Sequence, residues 1–223
     1  MLHSSIQREA LVPRLQLHVL TDRDWSRGRD MLTVAEAAIE GGATVIQLRD
    51  KVASTRKLVE EGLVLRELTR RRGVLLIVND RIDVALAVDA DGAHVGQDDM
   101  PAHLARRLLG PERILGVSAG NLEEARAAVE AGADYLGIGP IYPTRGKLDA
   151  GVPVGTQFVL GLKLRYATPL VAIGGITAEN AGEVIQAGAA GIAVITAVVN
   201  AEDIAAAARK LATASSSKVE KGE

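Results

Sequence analysis

The sequence predicts an α/β fold, a single (β/α)8 TIM barrel, and three observations lead to that expectation. The chain has 223 residues, and such barrels fold as one unit of about 200–250 residues. Short aliphatic runs alternate with amphipathic stretches that are rich in alanine and arginine. A Gly-Ala signal also recurs before several of the runs, which indicates a repeated structural unit.

Eight aliphatic runs are the candidates for the barrel strands. Most are too short for helices, and the connections between them are long enough for crossover helices, which predicts parallel β/α units. The runs span residues 15–20, 44–48, 74–78, 93–95, 114–117, 135–138, 170–173 and 191–195.

A Gly-Ala repeat precedes the second, sixth and eighth runs. The glycines are Gly42, Gly132 and Gly188, and a weaker copy contains Gly92. Each copy predicts a helix that stops at glycine, whose left-handed conformation turns the chain back into the sheet. A doubly wound open sheet could carry the same signal and is the alternative fold.

Composition excludes several classes of function. The formal net charge of −2 favours neither a nucleic-acid partner nor a membrane surface. The absence of cysteine excludes disulfides, thiolate nucleophiles and cysteine metal sites. No apolar run reaches the length of a membrane span, and no secretory signal opens the chain. We therefore expect a cytoplasmic protein.

One domain accounts for most of the chain. Residues 1–13 are predicted to be a lead-in, residues 14–211 the catalytic barrel domain, and residues 212–223 a disordered tail because they lack an apolar period. A homo-oligomer is compatible with this organisation, although the sequence does not give the oligomeric state.

Polar residues follow the second predicted strand. Alternation places Gln47, Arg49 and Lys51 on one side of an extended segment. Two cations and an amide suit an anion such as phosphate. A solvated loop with a local pair between Arg49 and Asp50 explains the same residues, and this segment alone does not decide between the two.

Carboxylates follow the next two strands. Asp80 follows the third run, and Asp98 and Asp99 follow the fourth. Neighbouring strand ends can share one hard cation, and Mg2+ is typically held by one or two carboxylates with phosphate oxygens and waters. The alternative for Asp98 or Asp99 is a helix N-cap before Pro101.

The ends of the fifth and sixth strands add further candidates. Ser118 follows the fifth run, where it either caps the next helix, as Asn121 could, or donates to a phosphate. The longest loop of the chain follows the sixth run. Thr144 and Lys147 in this loop are candidate phosphate ligands, or part of a plain mobile loop.

The last two strands suggest a separate monophosphate site. Gly174 and Gly175 end the seventh strand, Thr177 is expected to open a helix, and Ile195 and Thr196 end the eighth strand. Backbone N–H groups at a helix start bind phosphate, often after strands seven and eight of such barrels. Two anion sites beside a cation site predict transfer of a group from a diphosphate. His94 lies within a strand, where a core position is favoured over a catalytic base.

These residues, in this order, resemble the thiamine phosphate synthase family. The resemblance extends from about residue 15 to residue 208. The matching stretches are residues 45–51, 77–81, 94–100, 116–118, 137–144 with Lys147, 172–176 and 193–196.

The resemblance implies a transferase that uses Mg2+ and two small-molecule substrates. It joins 4-amino-5-hydroxymethyl-2-methylpyrimidine diphosphate to a thiazole phosphate. The implied mechanism is dissociative: diphosphate leaves, a pyrimidine carbocation forms, and the thiazole nitrogen captures it. Cations near the leaving group suit this chemistry because they stabilise its growing charge.

The resemblance also implies a role for each candidate residue. Asp80 and Asp99 match the Mg2+ ligands. The positions that hold the pyrimidine diphosphate are Gln47, Arg49, Lys51, Asn79, Ser118 and Lys147. The predicted catalytic residues among them are Arg49, Lys51, Ser118 and Lys147. Leu48 and Asp50 are included as substrate-binding residues of the same stretch. The thiazole-side positions are Thr144, Arg145, Gly146, Gly174, Gly175, Ile195 and Thr196.

Four positions depart from the family pattern. Gly146 stands where threonine is usual, Leu148 where proline is usual, Gly120 where histidine is usual, and Thr196 where serine is usual. These departures concern the thiazole side and the long loop, and they leave the diphosphate and Mg2+ side unchanged.

Two other functions fit the same fold. One is a thiazole tautomerase of the same superfamily, and the other is a non-catalytic barrel that binds phosphorylated ligands. The pair of Asp80 and Asp99, with Lys51 and Lys147, argues against a tautomerase, which has no use for Mg2+ ligands. The same pair beside Arg49 argues against a non-catalytic barrel.

Overall fold

A closed barrel of eight parallel strands, β1 to β8 in sequence order, forms the protein. The computed structural model describes residues 10–144, 146 and 151–216. The closed strand order confirms the predicted (β/α)8 barrel and excludes the open sheet. The strands are β1 Leu17–Leu20, β2 Val45–Leu48, β3 Leu75–Asn79, β4 Gly92–Val95, β5 Ile114–Ala119, β6 Tyr135–Ile138, β7 Leu170–Ile173 and β8 Gly191–Val194.

Helices surround the barrel, and a 3-10 turn at Val12–Arg14 precedes β1. Among the described residues, no helix combines the length and apolarity that a bilayer span requires. The helices are α1 Met31–Glu40, α2 Thr55–Arg72, α3 Ile82–Ala87, α4 Ala102–Leu109, α5 Leu122–Glu130, α6 Gly155–Lys163, α7 Ala181–Gln186, α8 Thr196–Val199 and α9 Ile204–Ser216.

The predicted boundary of the C-terminal tail differs from the structure. Helix α9 continues to Ser216, beyond the predicted end of the barrel domain at residue 211. Ala212 and Ala214 pack against the hydrophobic core, and Ser215 is buried, so this turn has an apolar side. Residues 217–223 of the predicted tail, and residues 1–9 of the lead-in, lie outside the described residues.

Two hydrophobic layers cover the two faces of the strands. The outer layer lies between strands and helices and includes Leu17, Leu48 and Val78. The inner layer fills the barrel and includes Val45, Ile77 and Tyr135. Because successive strand residues point to opposite faces, alternate positions of each strand reach the barrel interior. At the carboxyl ends of the strands these positions are available for a binding site.

The Gly-Ala repeat has the predicted left-handed glycines. The φ angles are +100° at Gly42, +86° at Gly132 and +103° at Gly188. In each copy the alanine N–H donates to the carbonyl five residues earlier in the preceding helix, at 3.0, 3.0 and 3.3 Å. The repeat is therefore one structural device, used three times to lead a helix into the next strand.

The weaker fourth copy lies three residues earlier than the sequence suggested. Asp89 takes the left-handed conformation at a φ of +52°, and Ala90 N donates to Ala85 O at 2.9 Å. Aspartate tolerates this conformation better than most residues. Gly92 instead lies in β4, where a Cβ would stand 2.0 Å from the carbonyl oxygen of Ile114.

A cluster of ring side chains occupies the inner layer. The ring centroids of His18 and Tyr135 lie 5.4 Å apart in an edge-to-face arrangement, and those of His94 and Tyr135 lie 5.5 Å apart. Glycines provide the space: a Cβ at Gly116 would stand 2.2 Å from Tyr135 Cζ, and one at Gly137 would stand 2.7 Å from His94 Cε1. The glycines of β5 and β6 thus leave room for the side chains of Tyr135 and His94.

We expect Gly132→Ala and Gly182→Ala to change stability in opposite directions. Gly132 has a positive φ, so alanine there should lower the free energy of unfolding by about 1–2 kcal/mol. Gly182 lies within α7 with open space around it, so alanine should raise the free energy of unfolding by up to about 1 kcal/mol. Urea unfolding of both variants measures this, and equal signs would contradict the conformational argument.

We also expect His18 to make stability depend on pH. Burial, with a smaller effect of His94, lowers the pKa of His18 to about 3 against the opposing hydrogen bond of the Leu15 backbone. Above the ordinary pKa the ring is neutral in both states. Below it only the unfolded chain takes up the proton, so stability falls as pH falls. From about pH 7.5 to about pH 5 this group should remove about 2 kcal/mol.

The matched variants for this test are His18→Met and His103→Gln. His103 is exposed on α4, so its replacement should keep the decline of the wild type. His18→Met should lose about 2 kcal/mol of that decline, measured by urea unfolding at the two pH values. An unchanged decline in His18→Met would refute the assignment.

Candidate active site

A cavity of about 520 Å3 lies at the carboxyl ends of the strands. Strand closure brings together candidates that are far apart in the sequence, from β2 to the start of α8. The predicted site residues that line this cavity are Arg49, Lys51, Asn79, Asp80, Asp99, Ser118, Thr144, Gly146, Gly174, Gly175, Ile195 and Thr196.

Two predicted substrate contacts lie away from the cavity wall. Leu48 is buried in the outer hydrophobic layer, because its strand position faces the helices. Asp50 accepts hydrogen bonds from Arg23 Nε at 2.8 Å and from the amides of Val52 and Ala53 at 3.0 and 2.9 Å. Neither residue is among those described that line the cavity.

Three other predicted contacts, Gln47, Arg145 and Lys147, are not among the described residues that line the cavity. Gln47 is buried and shares the inward face of β2 with Val45, one step deeper than the cavity wall. Arg145 and Lys147 lie outside the described residues. The base of their loop is nevertheless anchored, since Val154 N donates to Pro140 O at 2.8 Å.

Arg49 forms a buried ion pair with Asp22 rather than with the adjacent Asp50. The local Arg–Asp alternative is therefore wrong. The backbone of Arg49 is held by Thr21, whose Oγ1 accepts from Arg49 N at 2.9 Å and donates to Arg49 O at 3.2 Å. Burial raises the pKa of Asp22 and the Arg49 charge opposes this.

Lys51, Asp80 and Asp99 form a charged cluster on the cavity wall. Lys51 Nζ donates to Asp80 Oδ2 at 2.6 Å. Asp80 has a φ of +63°, a backbone conformation that residues other than glycine rarely adopt and that is often found at functional positions. Burial raises the pKa of Asp80, the neighbouring Asp99 carboxylate raises it further, and Lys51 opposes.

The carboxylate pair has the chemistry of a Mg2+ site. Asp80 and Asp99 repel each other, and a shared cation would relieve that repulsion. The described residues contain no group of three or more acidic or histidine side chains that could hold a metal. A pair of carboxylates that leaves positions for phosphate oxygens and waters is, however, the usual arrangement for Mg2+.

The capping alternatives for two of the candidates are wrong. Helix α4 has Pro101 at its N-cap and no side-chain cap, and Asp99 Oδ2 instead accepts from Gly96 N at 2.8 Å. Helix α5 is capped by Asn121, which accepts from Glu124 N at 3.0 Å. Ser118 is therefore not needed as a cap.

Ser118 instead contacts the ring cluster of the barrel interior. His94 Nε2 lies 2.9 Å from Ser118 Oγ, and His94 Nδ1 lies 3.0 Å from the Tyr135 hydroxyl. Gln97 Nε2 donates to Ser118 O at 2.6 Å. The ring cluster thus reaches the cavity and determines where the Ser118 hydroxyl lies.

Five polar residues of the cavity wall were not predicted as site residues: His94, Gln97, Asp98, Glu124 and Thr177. Alternation along β4 puts His94 on the same face as Gly92, toward the interior, which was a usable signal. Glu124 accepts from Gly120 N at 2.7 Å. Its position three residues after Asn121 is the signature of a capping box.

The glycines after β7 are required by packing as well as by conformation. Gly174 and Gly175 have φ angles of +99° and +66°. A Cβ at Gly175 would stand 2.7 Å from Pro143 O, so this turn packs tightly against the loop after β6. Thr177 does not open a helix, because α7 begins at Ala181.

The turn after β7 is stabilised by a side chain, and the chain after β8 becomes helical at once. Thr177 N donates to Asn180 Oδ1 at 2.9 Å, and Asn180 Nδ2 donates to Gly175 O at 3.0 Å. Helix α8 begins at Thr196, so Thr196 and Ala197 line the cavity from its first turn.

Comparisons with known proteins identify the family of the chain. A family model described as thiamine monophosphate synthase matches residues 17–198. The thiamine-phosphate synthase of Chloroflexus aurantiacus is 61% identical over 196 residues, which are 88% of this chain and 90% of the relative. That of Moorella thermoacetica is 52% identical over 200 residues, which are 90% of this chain and 95% of the relative.

Solved structures give the same result. Thiamine phosphate pyrophosphorylase from Pyrococcus furiosus superposes with a TM-score of 0.85 at 45% identity, covering 92% of this chain and 97% of that one. A 3-hexulose-6-phosphate synthase has a TM-score of 0.64 at 18% identity, which is a likeness of fold alone. The chain therefore belongs to the thiamine monophosphate synthase family and is a transferase.

Proposed function

We propose that the chain is a Mg2+-dependent thiamine phosphate synthase whose substrates are 4-amino-5-hydroxymethyl-2-methylpyrimidine diphosphate and a thiazole phosphate. The bond between the pyrimidine methylene carbon and the diphosphate oxygen breaks. A bond between that carbon and the thiazole nitrogen forms, giving thiamine phosphate and diphosphate. Membership of the family supports the overall reaction, and the arrangement of the cavity supports the assignment of residues.

The observation that carries the proposal is the pairing of carboxylates and cations on one wall. Asp80 and Asp99 lie together, Lys51 is within 2.6 Å of Asp80, and Arg49 lines the same cavity. A wall of carboxylates alone would repel a diphosphate. A wall of cations alone could bind a diphosphate without the two carboxylates. Both become useful when a diphosphate binds together with Mg2+.

The diphosphate side stabilises the leaving group. Mg2+ held by Asp80 and Asp99 would neutralise charge on the diphosphate. Arg49 provides planar donors suited to phosphate, and Asn79 and Ser118 add neutral donors. Negative charge grows on the diphosphate as its bond to carbon breaks, so donors that are already in place lower the barrier.

Lys51 is suited to exchanging its partner. Its side chain is 50% exposed while that of Asp80 is 19% exposed, so Lys51 can rotate from Asp80 to a diphosphate oxygen. Lys147, which lies outside the described residues, is proposed to bind the same leaving group. The acceptor nitrogen of the thiazole carries its own lone pair, so no residue has to remove a proton from it.

The thiazole phosphate is proposed to bind on the half of the rim formed by β7 and β8. Gly174 and Gly175 expose backbone groups at a tight turn, and the first turn of α8 contributes Ile195 and Thr196 to the cavity wall. Thr144 and Gly146 lie beside this half. The cytoplasmic location and a homo-oligomeric state stay predictions.

Removing one proposed Mg2+ ligand should nearly abolish turnover. We expect Asp99→Asn to lower Mg2+-dependent diphosphate release about 100-fold or more, because several kcal/mol of charge stabilisation are lost. Asp98→Asn is the matched comparison, since Asp98 lines the same cavity but is exposed and is not a proposed Mg2+ ligand, and it should lose much less activity. The assay supplies both substrates and titrates Mg2+; equal losses in the two variants would contradict the metal assignment.

The same assay separates the other two functions. A thiazole tautomerase would isomerise its substrate without releasing diphosphate and without needing Mg2+. A non-catalytic barrel would bind both phosphorylated ligands and release nothing.

A negative charge at Thr196 should act on one substrate only. We expect Thr196→Asp to raise the KM for thiazole phosphate about tenfold or more by charge repulsion. The KM for the pyrimidine diphosphate should change by less than about twofold, because a charge at a distance is screened. Asn200→Asp, at the other end of α8, is the control. A parallel rise for both substrates would place the phosphate site elsewhere.

A further inference from the structure

Asp22 contacts the predicted catalytic residue Arg49 on the side away from the cavity. Arg49 lines the cavity, whereas Asp22 is not among the described residues that do so. Asp22 lies in a small separate pocket at the end of β1, with Thr21, Ser26 and Arg29. Its direct link to the cavity wall is the ion pair with Arg49.

We propose that Asp22 is a positioning residue that holds the Arg49 guanidinium against the cavity wall before diphosphate arrives. The inference rests on the proposed function, because it needs a diphosphate as the ligand. It adds a residue that the family resemblance did not include among the site residues.

The geometry of the ion pair supports this role. Arg49 Nη1 donates to Asp22 Oδ2, and both side chains are 9% exposed. The other carboxylate oxygen, Asp22 Oδ1, accepts from Asp24 N at 3.1 Å. One oxygen is thus fixed by the backbone and the other holds the guanidinium, so the carboxylate has little freedom to rotate.

Arg49 keeps unused donor capacity for a ligand. Its Nε is buried and has no hydrogen-bond partner among the described residues. A guanidinium has five N–H donors, and leaving a buried donor unsatisfied is costly. Asp22 accepts from Nη1 alone, so the guanidinium keeps other donors for an anion that approaches from the cavity, which Arg49 lines.

Competing carboxylates explain why such an anchor is needed. Asp80 and Asp99 line the same cavity, and an unanchored Arg49 would be drawn toward them and away from the diphosphate position. Moving the Arg49 side chain away from these carboxylates would then cost free energy when the diphosphate binds. A guanidinium that is anchored during folding avoids that cost.

The test measures binding of inorganic diphosphate with Mg2+ by calorimetry, using the full chain. Asp22→Asn keeps the shape of the side chain and removes its charge, and we expect it to weaken diphosphate binding about tenfold or more. The KM for thiazole phosphate should stay within about twofold of the wild type. Asp24→Asn is the control, because the exposed Asp24 contacts Asp22 through its backbone, and it should bind diphosphate normally.

The outcomes separate this inference from the proposed function. If the wild type binds no diphosphate, the proposed function fails and this inference fails with it. If the wild type binds diphosphate and Asp22→Asn binds it equally or more tightly, the anchoring role alone is overturned.

A double variant tests whether Asp22 acts through Arg49, and it replaces Asp22→Asn if that variant does not fold. Asp22→Asn/Arg49→Met removes both buried charges, which folded proteins often tolerate better than removing one. It should bind diphosphate as weakly as Arg49→Met alone. A further loss in the double variant would show that Asp22 acts by another route and would overturn the proposal.

Discussion

The interior of a closed barrel must be filled by side chains from strands that converge, and the rest of this structure depends on how that space is shared. Gly116 and Gly137 carry no side chain where Tyr135 and His94 need room. The resulting ring cluster contacts Ser118 at the cavity through His94. Packing in the core therefore decides the position of a polar group at the site.

Charge at the cavity is organised in two different ways. Arg49 has a buried partner behind the cavity wall, in Asp22, so its position is set during folding. Lys51 has a partner on the cavity wall, in Asp80, and its side chain is half exposed. One cation is thus fixed and the other is exchangeable, a combination suited to a ligand that brings both negative charge and a metal ion.

Two departures from the family pattern are neighbours in space. A Cβ at Gly146 would stand 3.5 Å from the Thr196 Cγ2 methyl, an ordinary contact distance. Thr196 has a methyl group that the usual serine lacks, and Gly146 lacks the side chain of the usual threonine. The larger residue on α8 thus lies beside the smaller one on the loop, and both belong to the proposed thiazole side.

The fold and twelve residues of the cavity wall could be predicted from the sequence, because strand length, the Gly-Ala repeat and the position of each polar residue after a strand are local features. The partners of these residues could not be predicted in the same way. Arg49 pairs with Asp22, which follows β1, instead of the adjacent Asp50, Leu48 faces the helices, and the fourth Gly-Ala copy is shifted to Asp89. Which carboxylate meets which cation depends on distances between strands that are set only when the barrel closes.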